Sequence, residues 1–529
     1  MRSLTSSVVS CCFRAVSAVS AVSVCAVAGD AQPEARLGTI SFPNSGSTAA
    51  QEPFLRGMKL YWSFEYGPAA SAFIEAQKAD PSFALAYAGE ALTHTHQVWN
   101  EQDLPAARGA LARLAATPAE RRAKARTPRE QMYLEMVEAL YGEGSKPRRD
   151  TLFTAVAERL ARAHPSDDEA KMFHAIGLLG LNQSVREFTT YMQAGAIASD
   201  VLRRNADHPA AAHFVIHAFD DPVHAPLGLW AARLYSKIAP GAPHAQHMTS
   251  HIFVALGMWD DVVSQNVIAA GHDHDAMRAG HYTWWLGYAY GQQGRYADAL
   301  KHLETTRKNI AAPYRRGEQA ALVMLRAHYV IDAERWSDPA VSWSLTVPAG
   351  ALMPTATDSF TIGYAALKRG EVPRAATLAA WLMNTADAAP ADAKPALTVL
   401  GTQLQAAIAS AAGRHADAVA RAGAAAAAEE AMPFEFGPPQ FVKPPFELLG
   451  EVLLAAGKPA EAQAAFKKSL ARTPGRTRSV FGLARAASAA GDKATAAAAV
   501  AHLESNWRPA DKGLKELTEV SKLVAGAKP

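Results

Sequence analysis

Two stretches concentrate the side chain best suited to holding a transition metal: "HFVIHAFDDPVHA" (213–225) and "HAQHMTSHIF" (244–253). An imidazole is largely neutral near pH 7 and offers a nitrogen lone pair to an ion. Pro209 and Pro243 stand 34 residues apart, and aligning on them puts His213 and His247 at the fifth position of each stretch. His217 and His251 then share the ninth. Each His-x-x-x-His pair is spaced i, i+4, so both rings lie on one helix face. The two prolines fit the first turn of a helix, where no N–H is needed. From 213 to 281 the chain carries nine histidines in 69 residues, where its overall rate of 18 in 529 gives about two. The candidate metal ligands are His213, His217, His224, His244, His247 and His251. Asp220 and Asp221 are candidates for a further ligand, an orienter of an imidazole, or the general base of a metal-dependent reaction.

The rest of the composition narrows the ion. The three cysteines, Cys11, Cys12 and Cys25, all fall in the first 28 residues. Without that segment the chain offers no thiolate, disulfide or iron–sulfur ligand. A His, Asp and Glu donor set suits zinc, copper or iron. No Gly-rich phosphate loop, no Gly-x-Ser-x-Gly and no His-Glu-x-x-His is present, so no nucleotide cofactor is expected. "HDHDAM" (272–277) reads as a surface loop.

The opening 28 residues look like an export signal. Arg2 and Arg14 precede an acid-free apolar run from Ala15 to Val27, and "AVA" at 26–28 gives a small-x-small cleavage pattern. The run is too short to span a membrane. The expectation is an exported protein, periplasmic or secreted; a lipoprotein anchored at Cys25 fits less well, because Val24 stands where a small residue is needed. Net charge is +3, and with Arg2 and Arg14 removed 51 of the 53 basic residues face 50 acidic ones. That balance provides no basic field for nucleic acid.

These histidines need helices to hold them, and the chain supplies helices in a repeat. "FELLGEVLLAAGKPAEAQAAFKKSLARTP" places Leu449, Gly450, Gly457, Ala462, Phe466 and Pro474 in a spacing similar to the tetratricopeptide (TPR) pattern of two antiparallel helices in 34 residues. "FLRGMKLYWSFEYGPAASAFIEAQKADP" and "WWLGYAYGQQGRYADALKHL" repeat it. The fold class expected is all-α, an α-solenoid of about nine or ten antiparallel helix pairs. The expected layout is a signal peptide (1–28), an extended N-terminal arm (29–49), a TPR-like solenoid (50–431) with a His-rich groove (209–290), a Pro-rich loop (432–445) and C-terminal repeats (446–525). The histidine segments, with "ISFPNSGSTAAQEPFLRGMKLYWSFEY" and "YGEGSKPRRD", resemble a group of exported bacterial TPR proteins; that resemblance implies the solenoid and no particular reaction. Where the group carries Tyr-Asn-His-Pro, this chain has His94-Thr95-His96-Gln97.

In TPR proteins certain positions of each first helix line a concave, ligand-binding groove. The resemblance therefore implies a groove lined by His213, His217, His244, His247 and His251, with Asp220, Asp221, His281, Trp284 and Tyr288, and with His96 from an earlier repeat. Three functional readings follow. The first is a divalent transition-metal site. The second is a scaffold whose groove binds a peptide or partner protein without metal. The third is a metal-dependent hydrolase or oxidoreductase.

Overall fold

The computed structural model describes residues 36–181, 186–272, 280–310, 317–347 and 350–527. The signal-peptide segment and most of "HDHDAM" lie outside them. The described residues form 25 α-helices, from Thr48–Trp62 to Lys515–Ala527, each packed mainly on its sequence neighbours. More helix pairs are present than the glycine pattern predicts, because several pairs lack the marker glycine. The one sheet among the described residues is a minimal antiparallel hairpin, Thr95–His96 with Glu101–Gln102.

The repeat is built on one packing device. Phe73, fully buried on the Tyr66–Ala79 helix, presses its ring against Gly57 and Gly89 of the flanking helices. A Cβ at these glycines would come within 2.8 and 2.5 Å of that ring. Phe466 stands between Gly450 and Gly482 in the same way, with virtual Cβ contacts of 2.7 and 2.2 Å. Small residues on the first helices thus make room for an aromatic from the second.

Successive turns of the superhelix also touch. The Trp259 indole N–H donates to the Gly475 carbonyl at 3.0 Å, and Asp511 N–H donates to Gly294 O at 3.1 Å. At this seam buried Arg476 donates to Glu447 at 2.8 Å and to Asp332 at 2.6 Å. Residues 36–47 precede the first helix without regular secondary structure. They strap distant repeats together, with Thr39 N–H on Asp207 O (2.9 Å) and Ser45 N–H on Glu130 (2.6 Å). No helix of the described residues is long and apolar enough to cross a membrane.

Candidate metal centre

Three helices carry the histidines: Pro209–Phe219, Pro243–Ala255 and His281–Gln292. The first two begin with proline at N1, as the spacing predicts. Their histidines converge into two adjacent triads, His213–His217–His244 and His247–His251–His281, each with one nitrogen per ring within 4.8 Å of the others. Three nitrogens at about 2.0–2.1 Å from one ion lie about 3.3–3.6 Å apart, so modest closure suits each triad to a metal. All the rings are buried except His281, which is half-buried. The triads abut: His217 and His251 have centroids 6.0 Å apart, and His244 and His247 6.3 Å.

The outward nitrogens are held by acceptors. His213 Nδ1–H donates to the Trp62 carbonyl at 2.8 Å. His247 Nδ1–H donates to Asn266 Oδ1 at 2.6 Å. The Asn266 amide orientation is fixed because its Nδ2 donates to Val262 O at 2.9 Å. His251 Nδ1 meets Asp220 Oδ2 at 2.5 Å. This is the arrangement that fixes the tautomer of metal-binding histidines and leaves Nε2 as a lone pair.

Those lone pairs then face one another. With Nδ1 protonated on both rings, His247 and His251 point Nε2 at Nε2 across 3.2 Å. His213 and His244 stand Nε2 to Nε2 at 3.3 Å, and with the Tyr282 hydroxyl 3.3 Å from His244 Nδ1 the His244 Nε2–H can donate to His213. His217 Nε2 is buried without a hydrogen-bond partner. Protonation does not readily relieve this crowding, because burial holds all six rings well below the usual histidine range, His213 to about 3 and His281 to about 4. Asp220 is pushed up to about 7 by its own burial. A cation among the rings would satisfy the lone pairs and draw Asp220 back to carboxylate.

The triads are roofed by residues from far along the chain. Phe64 packs on His213, His217 and His244 with centroid distances of 4.3, 5.7 and 5.4 Å. Glu65 accepts from His244 N–H at 3.0 Å. These residues are brought in by buried Glu169, which accepts from Trp62 Nε1 at 2.7 Å and contacts His208 Nε2 at 3.1 Å. Phe64 adopts φ 56°, a left-handed conformation costly for a bulky residue. The equivalent helix-ending position is glycine at Gly257, Gly294, Gly457 and Gly491, all with positive φ. Across the groove, Phe436 of the Pro-rich loop stacks on His251 at 5.5 Å and 24°.

Of the residues proposed from sequence, His213, His217, His244, His247, His251 and His281 come together. His224 does not join the triads: its Nδ1 bonds Asp221 at 2.9 Å and its ring lies against Phe188. Asp221 is a turn and ion-pair residue, accepting from Val223 N–H and His224 N–H and lying 3.5 Å from Arg186. Asp220 sits behind His251 as an orienter. His96 stacks on Tyr66 at 4.0 Å and pairs with Glu101, beside the triads rather than in them. Tyr288 is core, packed on Trp259 and His328, because the helix turns it away from the groove. Trp284 lines an adjoining cavity. Trp62, Phe64, Asn266 and Phe436 were missed. The aromatic runs "YWSFEY" and "PFEF" were their only sequence signal, and Asn266 had none.

Residues 453–506 match a family model described as tetratricopeptide repeat. The match to the tetratricopeptide-repeat family covers the C-terminal helix pairs. No curated protein matches it. Among solved structures it is similar to yeast Tom70, at 11% identity and TM-score 0.29 over 90% of this chain and 95% of that one. It is also similar to a human IFIT1 dimer with m7Gppp-AAAA, at 11% and 0.35 over 89% and 91%. A third is the APC/C hetero-tetramer Cut9-Hcn1, at 10% and 0.32 over 93% and 79%. Superposition scores this low say nothing about ligand or partner. A TPR solenoid is a fold suited to holding proteins or peptides. Beside the histidines lie Phe64, Trp99 and Phe436, with Trp99 5.8 Å from the His244 ring.

Proposed function

We propose that this TPR protein binds transition-metal ions at the paired histidine triads, one ion per triad, as a dinuclear centre. The observation that carries the reading is the convergence of six histidines into two adjoining triads, each with one nitrogen per ring within 4.8 Å of the others. An all-nitrogen donor set without thiolate favours copper(II), with zinc and iron behind it. Three protein ligands per ion leave a position open, as catalytic sites do and closed structural sites do not. The chain's own residues bind and orient: Trp62 O, Asn266 and Asp220 hold the rings, while Phe64 and Phe436 limit water.

The test is elemental analysis of residues 29–529, purified without a histidine tag, beside a variant with His213, His217, His247 and His251 changed to Ala. The parent should hold up to two ions per chain and the variant none. Absence of metal from the parent after reconstitution would overturn the reading. We further propose that the protein works outside the cytoplasm, as its leader suggests. N-terminal sequencing of the exported chain should then begin at Gly29.

A further inference from the structure

The two aromatics that cover the histidines are held in different ways. Phe64, over the first triad, sits in a helix-ending turn with a bonded backbone: Ser63 N–H and Glu65 N–H each donate to Leu60 O at 3.0 Å, and Phe64 N–H donates to Tyr61 O at 3.0 Å. Phe436, over the second, belongs to the fourteen residues (431–444) between the His415–Glu430 and Pro445–Ala455 helices. Those helices pack directly on one another, and three or four residues make the next turns, 456–458 and 473–476. The length is surplus to the connection, as in loops kept for a task. Both ends are pinned. Arg472 donates to Met432 O at 3.4 Å and lies over the Phe434 ring at 4.6 Å. Phe441 and Val442 are buried, and Gln403 donates to Lys443 O at 2.7 Å. Between these anchors, among the described residues, no hydrogen bond holds a backbone group of 433–440. Side-chain packing seats the stretch, with Phe436 stacked on His251 at 5.5 Å and Gly437 against Trp285. Cavities adjoin it on both sides, about 70 Å³ beside His217 and Asp220 and about 380 Å³ beside His281.

We propose that residues 433–440 are a lid over the second triad, and that a transition-metal ion enters and leaves when Phe436 swings off His251. The cargo rests on the metal reading; the lid itself does not. A stretch with an unbonded backbone, pinned at both ends and seated by side chains, has the low opening cost that lids need. Pro433, Pro438 and Pro439 fix φ and have no N–H to donate, so the piece moves as a unit about its anchors. Phe436 is 37% exposed, and His281, 6.5 Å from its ring, is the one histidine of the six that is not fully buried. Entry past Phe64 would have to undo a bonded turn first.

Diethyl pyrocarbonate, which acylates neutral imidazole nitrogen, tests the lid on metal-free protein, with the modified sites read by peptide mass spectrometry. Phe436→Ala should speed modification of His251 and His281 by about tenfold, and leave His302, buried on the Thr283 carbonyl, unchanged. Phe436→Leu, which keeps an apolar cover without the stack, should fall between. Unchanged rates at His251 in both variants, or an equal rise at His302, would overturn the lid. Copper(II) tests the passage of the ion. Phe436→Ala should speed both uptake and loss to a chromophoric chelator by about tenfold, so that affinity moves by less than about threefold. Faster loss with unchanged uptake would make Phe436 a support of the bound ion and not a gate, and would overturn the proposal. Failure of the metal reading is seen separately: the protein then holds no copper, while the acylation rates still decide the lid.

Discussion

At the scale of single residues the site is decided by what stands behind the imidazoles. Asn266 and Asp220 stand behind the rings and take the Nδ1 of His247 and His251. Asn266→Ala and Asp220→Asn should each weaken metal binding about 10–100-fold, as loss of such supports does. Competition with a chromophoric chelator measures this, and unchanged affinity in both would mean the tautomers are not enforced. Phe64 makes a sharper case. Its φ of 56° should cost about 1–2 kcal/mol, which glycine would avoid. Phe64→Gly and Phe64→Ala both lose the ring against the first triad, but only the alanine keeps the strain. Phe64→Gly should therefore be the more stable of the two by about 1 kcal/mol in thermal unfolding, and both should bind metal less well than the parent. The histidines were legible in sequence because a 34-residue period is a spatial statement. His224 follows its turn as closely in sequence as the ligands do and still falls outside, since a turn residue is aimed by local hydrogen bonds rather than by the helix period.

At the scale of elements the Pro-rich loop departs most from its sequence reading. Five prolines in "EEAMPFEFGPPQFVKPPF" interrupt the helices, yet the helices on either side, His415–Glu430 and Pro445–Ala455, pack directly on one another. What the prolines cannot tell is where a non-periodic segment goes, and this one returns 150 residues upstream to lie on the second triad. Helix pairs are legible because small and aromatic residues recur at fixed spacing, as at Gly57, Phe73, Gly450 and Phe466. The loop has no such period, so only tertiary contacts place it. Gly437 is its fulcrum. It has φ +83°, and a Cβ there would lie 2.1 Å from the Trp285 ring. Gly437→Ala combines left-handed strain with overpacking and should cost about 2–5 kcal/mol. The loop should lift before the solenoid melts. Faster amide exchange across 433–440 with little change elsewhere is the expected result, and unaltered exchange would show that the loop is not held by this contact.

At the scale of the whole molecule, six buried neutral imidazoles make stability a function of pH and of metal together. Their folded pKa values lie below the unfolded value of about 6.5, with His213 near 3 and His281 near 4. The unfolded chain therefore binds protons that the folded chain refuses. Each ring contributes stability that is present above pH 6.5 and lost as pH falls toward the folded value, by about 1.4 kcal/mol per pH unit. Asp220 and Glu429, both raised by burial to about 7, work in the opposite sense between their unfolded values and pH 7. The lowered histidines, His302 and His328 among them, outnumber the raised acids Asp220, Asp332, Glu429 and Glu435, so metal-free protein loses stability as pH falls below 6.5. A domain's whole margin is about 5–15 kcal/mol. Metal-stripped protein should thus lose structure between pH 6 and 4.5, the histidine repeats first. Ions bound as proposed would oppose this by occupying the lone pairs that protons would take, so metal-loaded protein should hold its fold to lower pH until protons displace the metal. Melting temperature against pH for the two forms decides the matter. Two coincident curves would mean that the imidazole nitrogens are not where the ions sit, whereas a gap that opens below pH 6.5 and closes as metal is released would tie fold, proton and ion to the same six rings.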